Sequence, residues 1–140
     1  MLERTATLLL IPDLLRFFLT GEATTESTIA STTQFLSIAN GDWDRGLLVR
    51  VGLPSTFLAA IVAPATAAGR LLPEVAGKIG CAAIPVVAVA GHDIASPVAT
   101  VPADGRFAFL SSGIWSLLGT ELERPIADER ALAWNFANEV

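Results

Sequence analysis

Cysteine, histidine and charge are all scarce in this chain of 140 residues, which holds one cysteine, Cys81, and one histidine, His92. A lone cysteine excludes an internal disulfide and fits a reducing, cytoplasmic setting. One residue of each kind also excludes a His/Cys metal site, which needs three or four such ligands, so no metal ligand is assigned. Charged residues make up only 16% of the chain against 52% hydrophobic ones, and mean hydropathy is +0.57. A soluble domain carries roughly a quarter charged residues, and a small domain has the most surface to cover. The net charge of −5 excludes the basic footprint of a nucleic-acid binder, and the hydrophobicity excludes disorder.

Long apolar runs are missing too. A membrane span needs about 20 consecutive apolar residues, yet Leu47–Gly69 is interrupted by Arg50, Pro54 and Pro64. The purest run, Cys81–Gly91, is short and ends at His92-Asp93. Near the N-terminus Pro12, Asp13 and Arg16 break the apolar stretch, and no clean small-x-small site follows, unlike a secretory leader. These absences predict no membrane association. They leave a chain with too much apolar surface for its size, read here as part of a larger protein or an obligate partner that self-associates through that surface. The last residues, Asn138-Glu139-Val140, lack tail composition, which points the same way.

Among what is present, Ile11–Leu19 follows a helical period, with Pro12 suited to the first turn and Gly21 past the end. Thr25–Gln34 is a short helix candidate rich in Ser and Thr. Asn40-Gly41-Asp42 reads as a turn, with Asp42 capping a helix Trp43–Val51 that stops at Gly52-Leu53-Pro54. Pro54–Leu72 reads as loop with short pieces of structure, and Pro73–Ile79 as a helix ended by Gly80. Ile84–Ala90 is a β-branched, almost wholly apolar run, the pattern of a parallel strand buried on both faces. Ala95–Val101 can begin a helix. Arg106–Leu110 and Ile114–Glu121 read as a hairpin joined by Ser111-Ser112-Gly113. The change of pattern near Val101–Gly105 marks a domain boundary, dividing 1–102 from 103–140.

Gly91-His92-Asp93 lies at the carboxyl end of the predicted strand, where open α/β sheets place their ligands. A carboxylate there can take a proton from a substrate hydroxyl. The same aspartate is also a favoured N-cap for the next helix, and His92 can be a plain polar residue at a strand end. Ser111-Ser112-Gly113 can turn N–H groups and hydroxyls toward an anion, or be only a turn of small residues. Walker-type, HExxH, CxxC, GxGxxG and GxSxG motifs are absent, and neighbouring His92 and Asp93 are poorly placed to pair as in a Ser–His–Asp triad. Trp43, Trp115 and Trp134 read as core residues rather than sugar-stacking ones.

Taken in order, several stretches resemble the FGGY carbohydrate-kinase family, in its L-rhamnulose branch. They are Ile11-Pro12-Asp13-Leu14-Leu15 with Leu19-Thr20-Gly21-Glu22, Ala30-Ser31-Thr32-Thr33-Gln34, Asp42-Trp43-Asp44, and Gly52-Leu53-Pro54. Val86–Asp93 with Ala95-Ser96, Ser111-Ser112-Gly113 with Trp115-Ser116-Leu117, and Asn135-Phe136 with Asn138-Glu139 follow. The resemblance implies an α/β, actin-like and ribonuclease-H-like fold of two domains around a cleft. This chain would hold the end of the first domain and the opening hairpin of the second. It implies ATP and Mg²⁺, a small-molecule sugar as partner, and Asp93 as catalytic base. His92, Asp93 and Ile94 would contact the sugar, and Ser112, Gly113 and Ile114 the nucleotide.

Ile94 and Ile114 stand where the family pattern has threonine, and each removes a hydroxyl from a ligand-facing position. A hydrogen bond to a charged phosphate is worth about 1.5–3 kcal/mol. Pro97 is a further departure. The family's Asp-x-Gly phosphate loop, its early sugar-binding residues and its adenosine-binding glycines are not among these residues. The expectation is therefore a segment of a sugar kinase, inactive alone, with a non-catalytic remnant acting through protein association as the alternative.

Overall fold

The structure is a computed structural model that describes residues 4–98, 100–101, 105–113 and 115–139. Its elements run α1 (Ile11–Thr20), β1 (Thr24–Glu26), α2 (Ser27–Ser31), β2 (Leu36–Ser37), β3 (Asp42–Trp43) and α3 (Arg45–Arg50). There follow β4 (Ala60–Val62), β5 (Ala67–Arg70), α4 (Pro73–Ile79), β6 (Pro85–Val87), α5 (Ala95–Val98), β7 (Ala108–Ser112), β8 (Ser116–Thr120) and α6 (Glu129–Ala133). The strands form four two-stranded sheets among the described residues. β1 lies parallel to β4, with Thr24 opposite Ala60, whereas β2–β3, β5–β6 and β7–β8 are antiparallel.

Local chemistry explains several boundaries. Pro12 occupies the first turn of α1, and Gly21, at φ 76°, closes it by donating its N–H to the Phe17 carbonyl at 2.7 Å. α4 starts at Pro73 and ends at Gly80, φ 71°, the expected placement of both residues. α2 is shorter than the sequence suggests. Thr24–Glu26 pairs as a strand first, and beyond Ser31 the hydroxyls of Thr32 and Thr33 bond back to the Ile29 and Ala30 carbonyls. Such local bonds compete with further helix. The cap of α3 is Asp44, whose Oδ1 accepts the Leu47 N–H at 2.8 Å. Asp42, expected in that role, sits in β3 and accepts the Trp43 N–H.

The clearest correction concerns Ile84–Ala90. Its strand is β6 alone, paired antiparallel with β5, and Ile84, Val87 and Val89 are 52, 47 and 69% exposed. A β-branched apolar run records a demand for burial; strand direction and neighbours depend on what packs there. Only Ala88 of the run is fully buried.

A small core joins Ala30, Leu36 and Trp43, with Phe35, Leu58 and Ile61 packed against it. Trp43 Nε1 donates to the Ala59 carbonyl at 2.7 Å, satisfying the one polar atom of its ring. Trp115 and Trp134, expected in a core, are 80 and 64% exposed. Trp134 instead carries the Arg130 guanidinium over its ring at 5.0 Å. In the β7–β8 hairpin Phe109 stands opposite Gly119 and its ring covers that glycine.

α1 is inverted relative to its apolar stripe. Asp13, Arg16 and Thr20 are buried, while Ile11, Leu15 and Phe18 are exposed. The accessible surface totals 10051 Å², whereas a compact monomer of this mass would show about 6,900 Å². Apolar residues beyond one protein-sized core thus stand uncovered. No helix among the described residues is long and apolar enough to cross a membrane.

Candidate active site

The polypeptide leaves β6 and runs through Gly91-His92-Asp93 into α5. At Gly91 a Cβ would lie 3.3 Å from the Pro12 Cβ and 3.4 Å from the Ile29 Cβ. This close approach to the starts of α1 and α2 favours glycine, since a Cβ would make Pro12 or Ile29 give by a few tenths of an ångström. Beyond it, the Ser96 hydroxyl donates to the Ala90 carbonyl at 2.7 Å and Val98 N–H donates to the Ile94 carbonyl at 3.1 Å, closing the turn. Pro97 falls inside this short helix, where a first-turn N–H has no helical partner to lose.

Sequence-adjacent His92 and Asp93 come within ion-pair distance, with His92 Nε2 3.2 Å from Asp93 Oδ1. His92 is largely buried and the Asp93 side chain is 92% exposed. The carboxylate does not cap α5 through any hydrogen bond among the described residues; it projects outward, open to a ligand. Glu139, quoted above only as part of a motif, places Oε2 3.0 Å from His92 Nδ1, at ion-pair distance but without hydrogen-bond alignment. Asn138 anchors the same segment, its amide bonding both the N–H and the carbonyl of Ile126.

Beneath the loop lies a polar column that the sequence did not disclose. Glu26 is fully buried. Its carboxylate accepts five hydrogen bonds, from the Ser27 hydroxyl, the Thr28 N–H and hydroxyl, the Ile29 N–H and the Gly91 N–H. Thr28 Oγ1 in turn accepts the His92 N–H at 3.2 Å. On the other side Asp13 Oδ1 accepts the Glu26 N–H at 3.1 Å and pairs with Arg16 at 2.9 Å. Arg16 Nη2 also donates to the carbonyl and hydroxyl of Thr24.

Burial acts on both carboxylates with different results. It would raise Glu26, but the Thr28 hydroxyl and N–H, the Gly91 N–H and the Ile29 N–H outweigh it and hold that carboxyl below its ordinary value. Burial pushes Asp13 up, against the Glu26 N–H and Arg16, and Asp13 Oδ2 has no hydrogen-bond partner. The single available signal for the column was Asp13 and Arg16 interrupting an apolar helix.

Ser112 and Gly113 sit at the β7–β8 turn. Ser112 ends β7 opposite Ser116, so the turn begins later than expected. The Gly113 N–H donates to the Trp115 carbonyl at 2.9 Å, so this N–H is engaged within the hairpin. Ile114 and the proposed boundary at 102–103 lie outside the described residues. No hydrogen bond among the described residues links this turn to 91–94. Nor does any group of three His, Cys, Asp or Glu among them form a metal cradle.

The pattern of the FGGY family of carbohydrate kinases, N-terminal domain, matches residues 1–99. The chain is 45% identical over 139 residues to a rhamnulokinase of Bacteroides thetaiotaomicron, spanning 99% of this chain and 29% of that protein. It is 41% identical over 140 residues to one of Ligilactobacillus salivarius, again 99% and 29% of the two lengths. A carbohydrate kinase structure from Novosphingobium aromaticivorans superposes with a TM-score of 0.70 at 26% identity, covering 86% of this chain and 27% of that one. A ligand-bound xylulose kinase from Lactobacillus acidophilus gives 0.55 at 25% identity, covering 61% and 18%. The expected α/β sugar-kinase fold is thus met in a chain that spans under a third of its curated relatives' length. With the N-terminal-domain pattern matching residues 1–99 and its elements superposing on a carbohydrate kinase, this chain belongs to the FGGY family of carbohydrate kinases.

Proposed function

We propose that this chain is a segment of an ATP-dependent kinase that phosphorylates the C1 hydroxyl of L-rhamnulose. The carrying observation is the outward, 92% exposed carboxylate of Asp93 on a loop whose Gly91 and His92 N–H groups are tied to buried acceptors. The identity to rhamnulokinases over the whole of this chain supports the choice of sugar. Asp93 accepts the C1 hydroxyl proton as that oxygen bonds the γ-phosphorus of Mg²⁺·ATP, the bond to the bridging oxygen breaks, and ADP departs with the electron pair. The residues described here fit the sugar side of this reaction. His92 and Ile94 flank the sugar hydroxyl, and Ser112, Gly113 and Ile114 approach the nucleotide in the complete enzyme. Residues 1–102 close the first domain and 103–140 open the second; the appearance of the β7–β8 hairpin and then α6 after the mixed elements of 1–102 supports this division.

The test is a chimaera in which this chain replaces the matching 139 residues of the Bacteroides thetaiotaomicron protein. Coupled ADP release with L-rhamnulose should be robust, and Asp93→Asn should lower kcat by roughly 10²–10⁴ while the fold persists, the usual worth of a positioned base. Near-normal turnover in Asp93→Asn rejects the base, and a folded chimaera active only on other ketoses rejects the substrate.

A further inference from the structure

We infer that Glu26 and Thr28 are positioning residues that fix the backbone from which Asp93 is displayed. The inference rests on Asp93 being the base. An N-cap at the start of α2 needs acceptors for local N–H groups only, and Asp, Asn, Ser or Thr normally supply them. Glu26 does more than cap. Its Oε2 reaches across 65 residues of sequence to the Gly91 N–H at 2.9 Å. Thr28 extends the grip by one residue. Its hydroxyl donates to Glu26 Oε2 at 2.6 Å and accepts the His92 N–H at 3.2 Å.

Two successive N–H groups, those immediately before Asp93, are thus held by side chains from one buried turn. Fixing two successive peptides sets the direction in which the next Cα projects. Glu26 and Thr28 are almost inaccessible to solvent, so neither is available to touch sugar or nucleotide. Misplacement of a reacting group by about 1 Å costs on the order of a hundredfold in rate, which makes such support consequential.

Thr28→Val, Thr28→Ser and Glu26→Gln in the chimaera separate this role from simple stability. Thr28→Val keeps the shape but removes donor and acceptor. It should lower kcat per folded molecule about ten- to a hundredfold, with the KM for ATP within about twofold; Thr28→Ser should restore turnover. Amide hydrogen exchange at Gly91 and His92 should accelerate in Thr28→Val and Glu26→Gln and stay slow in Thr28→Ser. Unchanged kcat with unchanged exchange at both amides overturns the inference, as does a loss of activity that a smaller folded fraction accounts for entirely. If the unsubstituted chimaera folds without phosphorylating the sugar, the kinase reading fails, and the exchange rates alone then decide whether this pair holds the loop.

Discussion

The carboxylate of Glu26 accepts the N–H of Gly91 at 2.9 Å, joining the start of α2 to the loop that leaves β6. One bond so placed couples the folding of an early segment to the geometry of the candidate base. Its electrostatics lead to a first expectation.

Glu26 sits below its ordinary value because hydrogen bonds favour its charged form over the effect of burial. The folded state then holds fewer protons on this group than the unfolded state. Its stabilisation is complete above the ordinary glutamate value of about 4.3 and is lost as pH falls through the folded value. Urea titrations of the chimaera and its Glu26→Gln variant should differ most near neutrality and converge only as pH falls below the lowered folded-state value of Glu26. A constant gap across pH would show that Glu26 titrates normally.

Gly91 is expected to resist even alanine. A Cβ there meets Pro12 and Ile29 at 3.3 and 3.4 Å, so Gly91→Ala should cost about 1–3 kcal/mol. Thermal and urea unfolding of the chimaera would measure it. A neutral substitution would mean that α1 and α2 shift aside freely.

Trp43→Phe should destabilise by about 1–3 kcal/mol, because it leaves the buried Ala59 carbonyl without the Nε1 donor found at 2.7 Å. The same unfolding measurements apply, and loss of fluorescence change on unfolding would confirm Trp43 as the reporter of the core.

The 140-residue chain alone should associate in solution and show no ATP-dependent phosphorylation of L-rhamnulose. Its accessible surface of 10051 Å² and its exposed Ile11, Leu15 and Phe18 provide the sticky area. Light scattering should report large species that shrink in a Leu15→Lys, Phe18→Lys double variant. A monodisperse chain that turns over the sugar contradicts both halves of this expectation.

Ile114→Thr in the chimaera should tighten ATP by about 1.5–3 kcal/mol, the worth of a hydroxyl reaching a charged phosphate. Equal affinities by calorimetry would remove this position from nucleotide recognition.

Local signals were the legible ones. Pro73 and Gly80 bracketed α4, Gly21 ended α1, and the small residues Ser111-Ser112-Gly113 between two strand-like runs drew the hairpin, because each depends on backbone preferences of a few neighbours. Asp93 was legible as a carboxylate beyond a strand, while its exposure came only with the structure. What escaped depends on partners far along the chain. Glu26 looks like any acidic residue before a helix until Gly91 arrives. Ile84–Ala90 promised burial that the described residues supply only at Ala88, and Trp115 and Trp134 carried the same promise without the neighbours.

The inverted helix α1 has a consequence for uniqueness of packing. Apolar packing alone is forgiving: cores that keep volume and pattern lose uniqueness of packing before they lose stability. Asp13 and Arg16 are not forgiving, since Asp13 must face the Glu26 N–H and Arg16 the Thr24 carbonyl. Any roll strands buried charge, which is severely unfavourable. The polar side therefore acts as a key that admits one rotational setting of α1, and the outward stripe of Ile11, Leu15 and Phe18 is presented in a fixed orientation. A protein surface packed on that stripe would meet a template already aligned, its orientation set by the charged face of the helix and not by the oily one.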